Sequence, residues 1–366
     1  MTIMTIFFSI LTFLIVIVAV FMRQPKFGRT PFGERLETMK QSSNYRDDSF
    51  QNIHPTSAIT EGVSYGRVMK EFFLERKPRI KPVGTIPSVK TDIKKLEQDA
   101  LIWFGHSSYY IRVDGKRILV DPVLSGSASP IRFTTKSFNG TDAYSVEDFP
   151  EIDYLFITHD HWDHLDHATL LKLKTKVSKV ICPLGVQEHL LRWGFDKKII
   201  FEKDWNDTLL LDLGFTAHFT SARHFSGRTF KRNRSLWTSY VLQTPTMQIF
   251  IGGDSGYDSH FVEIGEKFGG FDLAILENGQ YDKNWKYIHM MPDEVLQAAI
   301  DLKARKLFPV HNSKFALANH SWDTPLREIT EFNRAKKLKI LTPQIGEILL
   351  LKSDTQVFKN WWEGIG

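Results

Sequence analysis

Three histidines and two aspartates stand close together in the run Thr158–His164, which reads THDHWDH. The run follows an apolar stretch, Tyr154–Ile157, and precedes a predicted helix that starts near Asp166. A tight turn after a buried strand directs several side chains into one cavity. Neutral imidazole and carboxylate groups are ligands for zinc, and also for iron and manganese. The residue types therefore indicate a metal site without selecting the metal.

The spacing of these side chains suits a centre that binds two metal ions. Two divalent ions about 3.5–4 Å apart need more ligands than one turn supplies, so other ligands must come from distant strands. The chain offers His224, Asp254 and His311 in that order. Each follows a short apolar or β-branched run, which is where the end of a strand would place it.

Several segments around these side chains resemble a known family. The pattern HxHxDH at His159–His164, followed by a lone histidine, a Gly-Asp pair and a last histidine, resembles the metallo-β-lactamase superfamily of metal-dependent hydrolases. Between about Leu101 and Trp322 the chain is similar to the N-acylphosphatidylethanolamine-hydrolysing phospholipase D family, in the segments Trp103–Ser108, Leu119–Pro130, Gly252–Leu276 and Pro309–His320. The resemblance implies an α/β fold, an αββα four-layer sandwich with the metals at one edge between two sheets.

The resemblance also implies a role for each ligand. One metal would be held by His159, His161 and His224, and the other by Asp163, His164 and His311, with Asp254 bridging both. Water between the ions would be acidified towards hydroxide, the expected nucleophile, so Asp163 and Asp254 are also expected to be catalytic. The expected cofactor is a pair of divalent ions, Zn²⁺ first, with Mn²⁺ or Fe²⁺ as alternatives.

Two residues are predicted to orient these ligands. A metal-bound histidine usually donates its second ring proton to a carboxylate or carbonyl group. Asp121, just after a predicted buried strand, is placed to reach the turn Thr158–His164, which we call the metal turn. His106, in the segment WFGHSS, resembles an element of the family, and a purely structural role for it stays open.

Two further segments are predicted to contact the substrate. The stretch Arg223–Arg234 carries five cations, and the family has a similar basic stretch, so Arg228 is predicted to bind a phosphate oxygen; an exposed basic loop is the alternative. The loop with Gln280, Tyr281 and His289 is predicted to wall the site. His289 matches a histidine of the family and is expected to contact phosphate or to protonate the leaving group, with backbone capping as the alternative.

Composition is consistent with a globular α/β protein. The 366 residues are 42% apolar, which excludes a disordered chain, and the formal net charge is +5. The single cysteine, Cys182, excludes an intramolecular disulfide and a thiolate metal cluster. The basic stretch lacks the aromatic platform of a single-strand binder, which disfavours nucleic acid as a partner. Oligomeric state stays open, and a homo-oligomer is compatible with the sequence.

Four regions are predicted along the chain: a transmembrane anchor (1–23), a stalk or wrap with a basic Pro-rich linker (24–98), the hydrolase domain (99–352) and a C-terminal tail (353–366). Ile3–Met22 is an uncharged apolar run of the length that spans a bilayer. A cleaved signal peptide is the alternative, but no cation precedes the run. Arg23, Lys26 and Arg29 follow it, so the positive-inside tendency places the domain on the cytoplasmic side.

Short strands and helices are predicted to mix along the hydrolase domain. The predicted helices are Val63–Arg76 before the domain, and Ala168–Leu173, Val186–Trp193, Ser259–Phe268, Pro292–Ala304 and Thr324–Phe332 within it. The predicted strands are Leu101–Phe104, Tyr109–Val113, Arg117–Val120, Tyr154–Thr158, Val180–Cys182, Thr208–Leu211, Thr216–Thr220, Trp237–Leu242, Gln248–Gly252, Leu273–Leu276 and Lys306–Val310. Asp114-Gly115 is predicted to form a tight hairpin turn.

These observations favour a membrane-anchored metallohydrolase that cleaves a phosphodiester, with a phospholipid and the membrane as its partners. Phospholipase D-type cleavage of N-acylphosphatidylethanolamine or a related glycerophospholipid is the leading hypothesis. A soluble phosphodiester, a nucleic acid or a lactone is the alternative substrate, since the fold does not fix the substrate. A membrane-tethered metal-binding protein without activity is the second alternative.

Overall fold

Two β-sheets lie face to face at the centre of the computed structural model, which describes residues 2–74 and 79–365. The strands are β1 (Tyr45–Arg46), β2 (Ser49–Phe50), β3 (Ala100–Trp103), β4 (Tyr109–Val113), β5 (Lys116–Val120), β6 (Ile152–Phe156), β7 (Val177–Pro183), β8 (Ile200–Lys203), β9 (Thr208–Asp212), β10 (Phe215–Thr220), β11 (Ser239–Gln243), β12 (Gln248–Ile251), β13 (Leu273–Glu277), β14 (Leu307–Val310) and β15 (Ile348–Leu350). One sheet has the order β15-β3-β4-β5-β6-β7-β8, and the other has the order β14-β13-β12-β11-β10-β9.

Helices cover the outer face of each sheet. The helices are α1 (Thr2–Met22), α2 (Glu34–Lys40), α3 (Tyr65–Leu74), α4 (His167–Leu173), α5 (Gln187–Arg192), α6 (His260–Phe268), α7 (Pro292–Asp301) and α8 (Thr324–Lys336). Helices α4 and α5 pack on the seven-stranded sheet, and α6, α7 and α8 pack on the six-stranded sheet. The largest core lies between the sheets and contains side chains of both, such as Phe156 and Tyr240. The predicted αββα sandwich is confirmed.

The parallel strands explain why distant residues meet at one edge. Strands β5 to β8 are parallel in one sheet, and β12 to β14 are parallel in the other. The carboxyl ends of parallel strands lie at the same edge, where ligands bind in open α/β sheets. Asp121 follows β5, His159 follows β6, Asp254 follows β12 and His311 follows β14. The two sheets thus deliver these four side chains to a shared edge.

Most predicted elements inside the domain are present in the structure. Each predicted strand corresponds to an observed one, and Asp114 and Gly115 both have positive φ, as the predicted tight turn requires. Strands β8 and β15 of the domain, and β1 and β2 before it, were not predicted. The helix predicted over Val63–Arg76 corresponds to α3; Arg76, and Lys77 and Pro78 of the predicted linker, lie outside the described residues.

Helix α1 extends from the domain and contacts it through its last turns and the loop Thr229–Lys231. Among the described residues it is the helix that is long and apolar enough to cross a membrane, over Ile3–Met22; its residues up to Val20 are exposed, and Phe21 and Met22 are half-buried. The segment after it runs along the domain: Met39, Tyr45 and Phe50 pack against Trp205 and Trp237. This part of the chain therefore wraps the domain surface.

The end of the chain also packs against the domain. Trp362 is 3% exposed and belongs to the core between the sheets. The ring centroid of Trp361 lies 6.2 Å from that of Trp103. The segment predicted as a C-terminal tail therefore contributes side chains to the core.

Candidate metal centre

Three imidazole rings meet at the turn after β6: two belong to the turn, and the third, His224, comes from the loop after β10. His159 Nε2 lies 2.9 Å from His161 Nδ1, and His224 Nε2 lies 3.2 Å from the same atom. His159 and His224 are each 1% exposed. One nitrogen from each of the three rings lies within 4.8 Å of the others and of a carboxylate oxygen of Asp254. Four side chains from three parts of the chain thus surround one point.

Asp254 lies between this cluster and a second one. Its Oδ2 atom is 3.7 Å from His159 Nε2, 3.6 Å from His224 Nε2 and 3.2 Å from His164 Nε2. Its Oδ1 atom is 3.2 Å from His311 Nδ1. The carboxylate therefore faces both groups of histidines, as a bridging ligand would.

The second cluster contains Asp163, His164 and His311, together with His106. One ligand atom from each of the four lies within 4.8 Å of the others. Asp163 Oδ2 is 3.6 Å from His164 Nε2 and 2.8 Å from His106 Nε2. His311 Nδ1 also lies 2.9 Å from Ser107 Oγ. The structure thus brings together all seven residues predicted as ligands.

Unpaired buried atoms show that these residues fit metal ions. His161 Nε2, His164 Nε2 and Asp254 Oδ1 are buried and have no hydrogen-bond partner among the described residues. An unsatisfied buried polar atom costs about 1–3 kcal/mol, more when the group is charged. Divalent cations at these atoms would remove that cost. The nitrogen and oxygen donors suit zinc, manganese and iron.

Burial favours the ligand form of several histidines. It lowers the pKa of the His159, His224 and His311 imidazoles well below their ordinary value, and neighbouring histidines add to the shift. A neutral imidazole is the form that binds a metal. Burial also raises the pKa of Asp254 to about 6, although His164 opposes the shift. For His164, burial alone would lower the pKa, but the neighbouring carboxylates of Asp254 and Asp163 raise it well above the ordinary value.

Asp121 and His106 occupy the positions expected of orienting residues. Asp121 accepts hydrogen bonds from the Thr158 amide (2.9 Å) and hydroxyl (2.6 Å), and its Oδ2 lies 2.8 Å from His164 Nδ1. This contact directs His164 Nε2 into the centre. His106 contacts Asp163, and its ring lies 4.1 Å from that of His311, centroid to centroid.

Three of these residues have a left-handed backbone. The φ angles of His106, Asp121 and His311 are 53°, 40° and 65°. Side chains with a Cβ adopt this region at a cost, and such residues cluster at functional sites. The surrounding contacts hold them there: the His106 amide donates to Asn312 O, and the His311 amide donates to His106 O. The candidate metal centre is thus a place where the chain keeps strained backbone.

His289 lies beside the centre, and its partner was not predicted. Its ring is 5.0 Å from that of His224 and 5.2 Å from that of His311. Glu277, at the end of β13, lies with Oε2 2.5 Å from His289 Nδ1 and accepts from the Met290 amide. Burial raises the pKa of Glu277 and lowers that of His289. The sequence offered one sign of this role: Glu277 is an acidic residue directly after the predicted strand Leu273–Leu276.

Arg228 differs from the sequence prediction. It is 4% exposed, and its guanidinium donates to backbone carbonyls: NH1 to Asp160 (2.8 Å) and Leu165 (2.7 Å), NH2 and Nε to Lys26 (2.9 and 3.2 Å). Its guanidinium carbon lies 3.9 Å from the centroid of the Trp162 ring. These contacts use the donors that a phosphate would need. The geometry indicates a structural role for Arg228, which also lines the cavity beside the metal ligands, and the phosphate contact stays a prediction.

Gln280 and Tyr281 also differ from the predicted substrate wall. Gln280 has φ 58°, accepts from the Leu317 and Ala318 amides, and donates to the carbonyls of His311 and Phe315. The Tyr281 hydroxyl donates to Glu328 (3.1 Å). Both side chains are 4% exposed. Gln280 thus holds the loops behind His311, and Tyr281 is bonded to α8.

Asp160 is a second residue whose role was not predicted. Its Oδ1 atom accepts from the Gly227 amide (2.6 Å), and its Oδ2 atom accepts from Ser235 Oγ (2.8 Å) and His189 Nε2 (3.1 Å). These bonds join the metal turn to the loop that carries Arg228. A carboxylate inside an otherwise buried turn was the only sequence signal.

A cavity of about 500 Å³ joins the centre to the end of α1. Its lining includes His161 and Asp163 at one side and Phe21 and Met22 at the other. Most of the remaining lining is apolar or aromatic, including Phe27, Trp162, Phe225 and Phe230. The cavity thus runs from the metal ligands to the last turn of the apolar helix.

The αββα sandwich and the paired clusters at its edge define a metal-dependent hydrolase of the metallo-β-lactamase type. The model of the Beta-lactamase superfamily domain matches residues 116–312, and the chain belongs to this family. The structure of Igni18, a metallo hydrolase from Ignicoccus hospitalis, is similar in fold: its TM-score is 0.53 at 21% identity, over 69% of this chain and 97% of that one.

Relatives with curated names include two phospholipases. An uncharacterised protein of Mycobacterium tuberculosis is 34% identical over 314 residues, 84% of each chain. The mitochondrial N-acyl-phosphatidylethanolamine-hydrolyzing phospholipase D of Saccharomyces cerevisiae is 34% identical over 242 residues, 62% of this chain and 50% of the yeast protein. The N-acyl-phosphatidylethanolamine-hydrolyzing phospholipase D 1 of Caenorhabditis elegans is 28% identical over 269 residues, 67% of this chain and 74% of that protein.

Proposed function

We propose that this hydrolase cleaves a phosphodiester of a membrane glycerophospholipid, N-acylphosphatidylethanolamine or a related lipid, in a phospholipase D-type reaction. The observation that carries the proposal is the cavity between the metal ligands and Phe21 and Met22. A substrate that enters beside an apolar anchor helix has an apolar part, and a phosphodiester suits a centre with two cations. The names of the yeast and nematode relatives support the same substrate.

The side chains fit two divalent ions, for which we propose Zn²⁺ first and Mn²⁺ or Fe²⁺ as alternatives. His159, His161 and His224 would hold one ion, and Asp163, His164 and His311 the other, with Asp254 between them. When bound, the ions would supply an acidified water and positive charge against the phosphodiester oxygens. His106 and Asp121 would keep Asp163 and His164 in place for them.

His289 is placed to protonate the leaving oxygen. Its Nδ1 atom contacts Glu277 Oε2, which leaves Nε2 for the substrate. As the bond from phosphorus to the alkoxide oxygen breaks, the proton on Nε2 passes to that oxygen, and Nδ1 takes the proton it shares with Glu277. Water supplies the oxygen that phosphorus gains. The products would be phosphatidic acid and N-acylethanolamine.

The test is hydrolysis of N-acylphosphatidylethanolamine in vesicles by the full chain, purified in detergent and supplied with Zn²⁺, Mn²⁺ or Fe²⁺. We expect release of both products in a ratio of one to one. Asp254→Asn should lose this activity and bind less metal per chain, because the bridging charge is lost. The matched control is Asp92→Asn, since Asp92 is exposed, caps a short helical turn before β3 and belongs to neither cluster.

Failure of the wild-type chain to release N-acylethanolamine with any of the three metals would reject the lipid substrate. Hydrolysis of RNA in preference to vesicles would favour the nucleic-acid alternative. Unchanged turnover in Asp254→Asn would show that the two clusters do not form the catalytic centre.

A further inference from the structure

A second apolar cavity, of about 560 Å³, lies between α1 and a loop of the domain. We call it the anchor groove. One wall is the loop Thr229–Lys231, and the other is a single face of α1 that contains Leu14, Ile15, Val18, Ala19 and Met22. The spacing of these five residues is that of one helix face. The groove is therefore formed jointly by the anchor and the catalytic domain.

The anchor groove is continuous with the cavity at the metal centre. Met22, Thr229 and Phe230 line both cavities. An apolar passage therefore leads from the side of α1, past Phe230, to His161 and Asp163.

The groove reaches the depth of the hydrocarbon if α1 spans a bilayer. Leu14 precedes Met22 by eight residues, which is about 12 Å along a helix. The loop contributes Phe230, which is 86% exposed, and the next residue is the cation Lys231. An aromatic ring next to a cation suits the boundary between acyl chains and anionic head groups. A lipid surface therefore accounts for the exposed ring.

We propose that the anchor groove holds an acyl chain of the lipid whose phosphodiester lies at the metal centre. This inference rests on the proposed function and adds the position of the chain. A lipid held in this way keeps its apolar part in apolar surroundings while its head group enters the domain. Leaving the bilayer would instead expose methylene groups to water, at about 0.8 kcal/mol each.

The experiment fills the groove from the anchor side. Val18→Trp places an indole in the groove, and Val20→Trp makes the same change on the opposite face of α1, which does not line it. If the indole excludes two methylene groups of the acyl chain from the groove, the lost burial corresponds to a change of about tenfold in an equilibrium or rate constant. Val18→Trp should therefore lower kcat/KM for N-acylphosphatidylethanolamine in vesicles about tenfold. Val20→Trp should leave it unchanged. Hydrolysis of bis(4-nitrophenyl) phosphate, which has no acyl chain, should be unchanged in both variants.

A second measurement does not depend on turnover. Vesicles that contain a phosphatidylethanolamine with a diazirine in its acyl chain are irradiated with the full chain, and labelled peptides are identified by mass spectrometry. We expect lipid adducts on Thr229–Lys231 in the wild type and in Val20→Trp, and their loss in Val18→Trp. Phe230→Ser, a change at an exposed loop position, should also lower the labelling.

The two proposals fail in different ways. Wild-type hydrolysis of bis(4-nitrophenyl) phosphate without hydrolysis of the lipid would reject the proposed substrate, and the labelling pattern would still decide the groove. Equal effects of Val18→Trp and Val20→Trp on lipid turnover would contradict the proposal that the anchor groove holds an acyl chain. The absence of lipid adducts on Thr229–Lys231 in the wild type would contradict it as well.

Discussion

Replacing Arg228 by Lys should weaken the link between α1 and the turn Thr158–His164 that carries four of the predicted ligands. The guanidinium donates to the carbonyl of Lys26, just after α1, and to the carbonyls of Asp160 and Leu165, which flank the ligands His161, Asp163 and His164. Its planar fork reaches both sides at once. A lysine ammonium is a single point on a flexible stem and cannot replace that geometry.

The expected magnitude follows from the lost bonds. A buried hydrogen bond to a charged group contributes about 1.5–3 kcal/mol. If Lys keeps one of the three carbonyl partners, at least two such bonds are lost, and Arg228→Lys should lower the free energy of unfolding by about 3–6 kcal/mol. Loss of the stacking on Trp162, 3.9 Å away, adds to this effect.

The assay compares stability, metal content and kinetics on the full chain in detergent. Urea denaturation should give a lower midpoint for Arg228→Lys, and metal analysis should find less metal per chain, because the turn that carries His161 and Asp163 is held less firmly. In samples saturated with metal, KM for the lipid should be unchanged. Arg232→Lys is the matched control, since Arg232 is exposed and contacts the Phe225 ring at 4.9 Å.

The opposite result would refute this reasoning. If Arg228→Lys raised KM for the lipid while stability and metal content stayed at wild-type values, Arg228 would be the phosphate ligand that the sequence predicted. A stability loss of the same size in Arg232→Lys would show that the effect is not specific to the bonded carbonyls.

Two further predictions concern Glu277 and Asp212. Glu277→Gln should lower kcat at least about tenfold and alter its pH profile, with KM and metal content unchanged, because Glu277 acts through the proton on His289; an unchanged pH profile would contradict this role. Hydrogen bonds from Lys116, Tyr154 and Lys179 hold the pKa of Asp212 below its ordinary value of 3.8, so Asp212→Asn should cost about 1 kcal/mol of unfolding free energy at pH 7. Because the pKa of Asp212 is lower in the folded state, ionised Asp212 stabilises the folded protein at pH values above 3.8, the pKa in the unfolded chain. Urea unfolding should therefore show that the stability difference between wild type and Asp212→Asn shrinks as the pH falls below 3.8. A stability difference that grew there would contradict this reasoning.

The placement of the seven predicted ligands could be anticipated because each is a strong ligand type that lies in the turn after an apolar strand or just beyond a strand end. Strand ends in a two-sheet α/β fold converge on one edge, so pattern and position agree for residues such as His159 and Asp254. Glu277 also stands at a strand end, but a single acid has no spacing pattern to mark it. Its pairing with His289 depends on the fold of the loop between them.

Arg228 shows why the substrate contacts could not be predicted in the same way. A cation in a basic stretch beside a metal ligand favours a phosphate contact when only the sequence is considered. Its actual partners are backbone carbonyls of Lys26, Asp160 and Leu165, and carbonyls leave no signal in a sequence. Gln280 is a similar case, because its amide pairs with the backbone of distant loops.

The segment after α1 shows how the anchor and the centre are connected. Gly28 has φ 69°, and a Cβ there would lie 1.8 Å from His189 Nδ1, so only glycine fits. That Nδ1 accepts from the Arg29 amide (3.0 Å), so Nε2 carries the proton and donates it to Asp160, between two metal ligands. His189 therefore joins the segment after α1 to the turn that carries the ligands. Arg228 makes a second link between the same two segments, through the carbonyls of Lys26 and Asp160. Because both links lie within a few residues of Met22, the contacts that position the centre beside the anchor also fix the geometry of the turn that carries its ligands.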